Sequence, residues 1–84
     1  MPTFHFNVHG DQSPAEGVEL ASVADAKNTA ARYVARLLTD QAPSFWEAGH
    51  IGLSVSDETG LTLFTIEILG TDAPAIRVEV PHPQ

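Results

Sequence analysis

The chain has 84 residues, no cysteine and a net charge of −7, with Lys27, Arg32, Arg36 and Arg77 as its permanent cations. That length allows one domain with a modest core, and the lack of cysteine excludes a disulfide framework or a thiolate zinc site. The acidic balance, which protonating every histidine would leave negative, argues against nucleic-acid binding, since that needs a basic stripe to displace counterions from phosphates.

The opening MPTFHFNVHG has neither the cationic start nor the apolar run of a signal peptide. No segment approaches the ~20 apolar residues of a membrane span. The expectation is a cytoplasmic protein without membrane or nucleic-acid partners.

Thr3–His9 alternates, with Phe4, Phe6 and Val8 on one face and Thr3, His5, Asn7 and His9 on the other, as in a half-buried strand. Gly10–Gly17 is polar and rich in turn formers. Val18–Leu20 reads either as a short edge strand or as extended coil. A helix then runs from Ser22 to Asp40. Ser22 is placed to cap it, and Asp25 stands in the capping-box position near the positive end of the dipole. Val23, Ala26, Ala30, Tyr33, Val34, Leu37 and Leu38 recur at spacings of three and four and form one apolar stripe. The small Ala26 and Ala30 let that end lie close to a sheet. Pro43 marks the end of the helix.

Ser44–Gly49 reads as a connector whose Phe45 and Trp46 cap the open end of the core. Ile51, Leu53 and Val55 alternate with small residues, Asp57–Gly60 makes a turn in which Gly60 takes the left-handed conformation, and the return strand runs Leu61–Leu69. Phe64, Ile66 and Ile68 share its inner face. After Gly70–Pro74, Ile76, Val78 and Val80 alternate with Arg77 and Glu79. This terminal run either adds an edge strand to the chain's own sheet or pairs with another chain.

The candidates for chemistry are sparse. His5 and His9 share a strand face but stand about 13 Å apart along it, too far to ligate one ion. A metal would need partners such as Asp11, His50 or Asp57, and no spacing calls for them. Asp57 and Glu58 suit a solvated turn, and Glu16 and Glu19 suit the blunting of an edge. No residues are assigned to catalysis, metal or cofactor binding.

The segments FHFNVHG, EGVEL, the alanine-rich ADAKNTAARYVARLL that runs to Asp40, LSVSDETGLTLFTIEIL and DAPA, in this order and spacing, resemble a family of short bacterial proteins. That family is seen chiefly in α-proteobacteria and classed only as a domain of unknown function. The resemblance covers nearly the whole chain and implies a small α+β fold and no known activity. Members commonly carry an aspartate where this chain has Asn7 and an acidic residue where it has Pro14, so a shared site built on those acids would be incomplete here. The layout is also similar to antitoxins of the HicB type, which lead from strands through an acidic loop into an alanine-rich helix.

The expected architecture is therefore a single α+β domain over residues 1–84, β-(β)-α-β-β, with one helix packed on a largely antiparallel sheet. Residues 75–84 supply the edge or partner-pairing strand. The expected core is Phe4, Phe6, Val8, Ala26, Ala30, Tyr33, Val34, Leu37, Leu53, Val55, Phe64, Ile66 and Ile68. The expected function is non-enzymatic protein–protein interaction or regulation, by self-association or with a protein partner, through a surface that includes His5, His9, Trp46, Ile76, Val78 and Val80. The alternatives are an antitoxin-like partner of a small basic protein, and a small-molecule or metal-binding domain centred on His5, His9 and Trp46.

Overall fold

A computed structural model describes residues 1–10 and 16–77. Four antiparallel strands, β1 (Thr3–Val8), β2 (Glu16–Glu19), β3 (His50–Ser56) and β4 (Thr62–Leu69), form one sheet in the order β2-β1-β3-β4. The fold class is α+β, as the periodicity predicts. Helix α1 (Val23–Asp40) starts at Ser22, whose hydroxyl accepts from the Asp25 amide at 3.1 Å. It crosses one face of the sheet, mainly over β3.

The alternation of each strand decides which side chains meet this helix. Phe4 and Phe6 from β1, Ile51, Leu53 and Val55 from β3, and Ala26, Ala30 and Val34 from α1 are buried in one core. Ala26, Ala30, Leu53 and Val55 are 0 % exposed, so the two small residues do bring the helix backbone against the central strand. Val8, Tyr33, Leu37, Phe64, Ile66 and Ile68 pack around this centre partly exposed. Phe64, Ile66 and Ile68 sit on the outermost strand, which has a neighbour on one side only among the described elements.

The expected connector after α1 is instead a second helix, α2 (Ala42–Ala48). Gln41 serves both helices. Its N–H donates to the Leu37 carbonyl at 2.9 Å, and its own carbonyl accepts from Phe45 N–H at 2.7 Å. Pro43 lies in the first turn of α2, where its missing N–H costs no helical bond. Gly49 closes α2 with φ +74, a left-handed conformation that suits glycine. Phe45 is buried, as expected of a core cap, whereas Trp46 is 61 % exposed.

Val18 belongs to an edge strand that is paired, with Thr3 opposite Glu19 and Phe6 opposite Glu16. The β3–β4 turn forms as read: Gly60 has φ +92, and the register shifts by a bulge at Val55/Ser56. Pro74–Arg77 make one helical turn, α3. Val78 and Val80 of the expected terminal strand lie outside the described residues. No helix among the described residues is long and apolar enough to cross a membrane.

Candidate interaction surface

Among the described residues no element covers the face of the sheet opposite α1, and the strand register arranges it in rows. Asn7, Ser54 and Thr65 form one row across β1, β3 and β4. In the next, His9 donates its backbone N–H to the Gly52 carbonyl at 2.8 Å, and Gly52 lies opposite Glu67. Both rows are polar, in keeping with an antiparallel sheet wetted on one side.

His5 in β1 and His9 directly after it take up equivalent positions. A Cβ built on Gly52 would run into the His9 ring, and one built on Gly17 would come within 3.2 Å of the His5 ring. Each imidazole thus lies across a glycine of the neighbouring strand, His5 over β2 and His9 over β3. The glycines make room for the rings, and the rings cover backbone that would otherwise lack a side chain.

His9 is the more connected. Its Nε2 is 2.6 Å from Ser54 Oγ, which is 3.3 Å from Thr65 Oγ1. The His50 ring stands beside it with centroids 6.3 Å apart, and His50 Nε2 meets Glu67 Oε1 at 3.2 Å. The structure therefore brings together His9, His50, Ser54, Thr65 and Glu67, of which sequence reasoning singled out His9 alone. His50 stands out in the sequence only as a remote metal partner. The signal that links them is the cross-strand register, which needs the order β1-β3-β4.

The Ser54–His9 distance is that of a nucleophile and its base. The base's other nitrogen, however, faces Gly52 rather than an orienting carboxylate, and the pair lies on an open face rather than in a cleft. Among the described residues no group of three or more His, Asp or Glu side chains could hold a metal ion. His5 and His9 are not brought together, and Trp46, carried by α2, lies beside Gly70 and Phe45 at the end of the sheet where β3 begins. Ile76 falls in α3.

Around the polar rows runs an apolar rim on β4. Leu63 and Leu69 are exposed on the same side as Thr65 and Glu67, whereas Leu61 lies beyond the bulge, its carbonyl accepting from Asp57 N–H at 2.9 Å. Among the described residues the backbone of β4 is paired on one side only. Gly70 N–H donates to the Gly49 carbonyl at 3.0 Å, and the alternation of an antiparallel ladder then turns Phe64, Ile66 and Ile68 toward β3. The amides and carbonyls of Leu63, Thr65, Glu67 and Leu69 point away, along an eight-residue edge that carries one formal charge, Glu67. Natural edges of this length are normally blunted by charge, proline or a covering element.

The turn at one end of this edge is fixed electrostatically. Asp57 accepts from Thr59 Oγ1 at 2.6 Å, Thr59 N–H at 2.9 Å and Leu61 N–H at 3.0 Å. The Thr59 hydroxyl bond, followed by these amides, holds its carboxyl below the ordinary value of 3.8.

Searches of the curated proteins and of the solved structures found no match. A comparison with protein families matched residues 3–70, which span all four strands and both α1 and α2, and the chain belongs to the family described as Domain of unknown function (DUF6894).

Proposed function

We propose that this chain is a non-enzymatic interaction module that associates with a second copy of itself through the outer edge of β4. The observation that carries this reading is an edge with no neighbour among the described residues: eight residues with outward amides at Leu63, Thr65, Glu67 and Leu69, of which Leu63 and Leu69 are exposed. Strand addition uses such edges, with the backbone giving affinity and alternate side chains giving specificity.

The edge is also self-complementary. In an antiparallel register centred on Thr65, Leu63 meets Glu67 and Phe64 meets Ile66 of the other copy. The two Glu67 side chains then stand about 13 Å apart along the strand direction, beyond the Debye length in physiological salt. The closed two-fold pairing would join two four-stranded sheets and leave no free β4 edge.

The test is sedimentation equilibrium of the wild type and Thr65→Pro. Proline at an outward-facing position removes no bond to β3 but blocks a strand arriving from outside. The expected result is a dimer that Thr65→Pro weakens at least about tenfold with an unchanged circular dichroism spectrum, and that tightens with added salt, because two bodies of charge −7 repel. A wild-type monomer at high concentration would refute the reading. So would an association that salt weakens, which is the behaviour of an acidic chain meeting a basic partner.

A further inference from the structure

Because α1 sits over β3, it leaves a crevice between its flank and the β1–β2 half of the sheet. This cavity of about 260 Å³ is lined by Phe6, Val18, Thr29, Arg32, Tyr33 and Arg36. We infer that it binds a small organic monoanion, a carboxylate on a flat apolar body, with Arg32 and Arg36 on the charge and Phe6, Tyr33 and Val18 against the body.

The placement follows from helical spacing. Thr29, Arg32, Tyr33 and Arg36 stand at positions i, i+3, i+4 and i+7, so they form one stripe along α1 facing the crevice. Two of the chain's four cations thus line one cavity in a protein of charge −7. Among the described residues neither has a carboxylate within ion-pair distance. Guanidinium groups bind carboxylate oxygens in pairs of parallel hydrogen bonds, and the Thr29 hydroxyl adds a donor. The floor is aromatic: Tyr33 meets Phe6 edge to face with centroids 6.4 Å apart, which presents ring surface to an occupant.

Size and charge narrow the class. Pockets for drug-sized ligands run from about 300 Å³ upward, so this one suits a single-ring acid. The surrounding negative charge opposes a polyanion, whereas one carboxylate gains most of its attraction from contacts at hydrogen-bond range.

The experiment is a titration of the isotopically labelled chain followed by amide NMR, with benzoate, the neutral isostere benzamide, and inorganic phosphate as probes. Benzoate is expected to give saturable shifts at Val18, Thr29, Arg32, Tyr33 and Arg36. Benzamide and phosphate are each expected to bind at least about tenfold more weakly, since one lacks the charge and the other the apolar body. Arg32→Gln and Arg36→Gln, both changes of exposed side chains, should each lower benzoate affinity severalfold without changing the melting temperature. The inference fails if benzamide or phosphate matches benzoate, if neither arginine variant weakens it, if the shifts centre away from the crevice, or if benzoate gives no saturable shift.

Discussion

Gly70 offers a sharp test of how α2 docks on the sheet. A Cβ added there would stand 2.8 Å from Phe45 Cε2, 2.8 Å from Trp46 Cζ3 and 3.1 Å from Phe45 Cζ. Comfortable carbon–carbon contact begins near ~3.5 Å, so about 0.7 Å must be found. Trp46 is 61 % exposed and can swing outward, but Phe45 is 7 % exposed and held in the core. Gly70→Ala is therefore an overpacking change of roughly 1–3 kcal/mol, offset by ~0.4–1 kcal/mol from a less flexible unfolded chain. The net expectation is a loss of about 0.5–2 kcal/mol, out of a total of ~4–13 kcal/mol for a domain of this size. Urea denaturation followed by far-ultraviolet circular dichroism measures it. Combining Gly70→Ala with Phe45→Leu should cost less than the sum of the two, because the smaller side chain makes room, while Trp46→Ala should leave the penalty in place. A Gly70→Ala protein as stable as the wild type, or strict additivity with Phe45→Leu, would show that Phe45 does not wall the space at Gly70.

Three further outcomes test other parts of the fold. Leu53→Ala, at a fully buried site on the central strand, should lower unfolding free energy by about 2–5 kcal/mol, and a loss under ~1 kcal/mol would move the core elsewhere. Gly52→Ala should displace the His9 ring and break its bond to Ser54 while changing stability by no more than about 1 kcal/mol, since alanine suits a strand better than glycine; unchanged His9 side-chain NMR shifts would contradict the glycine-covering geometry. Asp57 has a depressed carboxyl pKa in the fold, so its contribution is fully present above the ordinary value of 3.8 and is lost as pH falls through the folded value. The stability gap between wild type and Asp57→Asn should therefore be widest near neutrality and close in acid, and a gap that widens in acid would reverse the assignment.

Much of the fold was legible because its signals are local. The alternation in Thr3–His9 and Thr62–Leu69, the cap at Ser22 and the glycine at position 60 each act within a few residues. Seven of the nine buried positions stand in the expected core; Ile51 shares the alternation of Leu53 and Val55 without being in that set, and Phe45 is expected only as a cap. Phe45 is expected as a core cap from its size, but the helix that carries it is hidden by Pro43, which reads as a helix end and sits instead in the first turn of α2, after the shared cap Gln41. Strand order is a different kind of information. Nothing near His9 in the chain says that β3 rather than β4 lies beside it, so the grouping of His9 with His50, Ser54 and Glu67 needed the tertiary pairing. Arg32 and Arg36 lie off the apolar stripe of the helix, and only the position of α1 over β3 makes that side the wall of a crevice.

The same position of α1 keeps the two proposed surfaces apart, and their independence can be measured. The crevice opens beside β1 and β2, while the proposed dimer edge is the far side of β4. In the order β2-β1-β3-β4 they are separated by two to three strand spacings, about 10–14 Å, with the rigid core of β3 between them. The crevice residues lie on the helix-covered face, whereas Leu63, Thr65, Glu67 and Leu69 direct their side chains to the open one. Sites at that distance with no shared partners normally combine additively. Thr65→Pro should therefore leave benzoate affinity unchanged, and Arg32→Gln should leave the dimer constant unchanged, each within about twofold. A larger coupling would mean that α1 shifts on the sheet when the crevice fills, and benzoate and dimerisation would then change each other's affinity by the same factor. The separation by β3 would then be refuted even if both binding events were real.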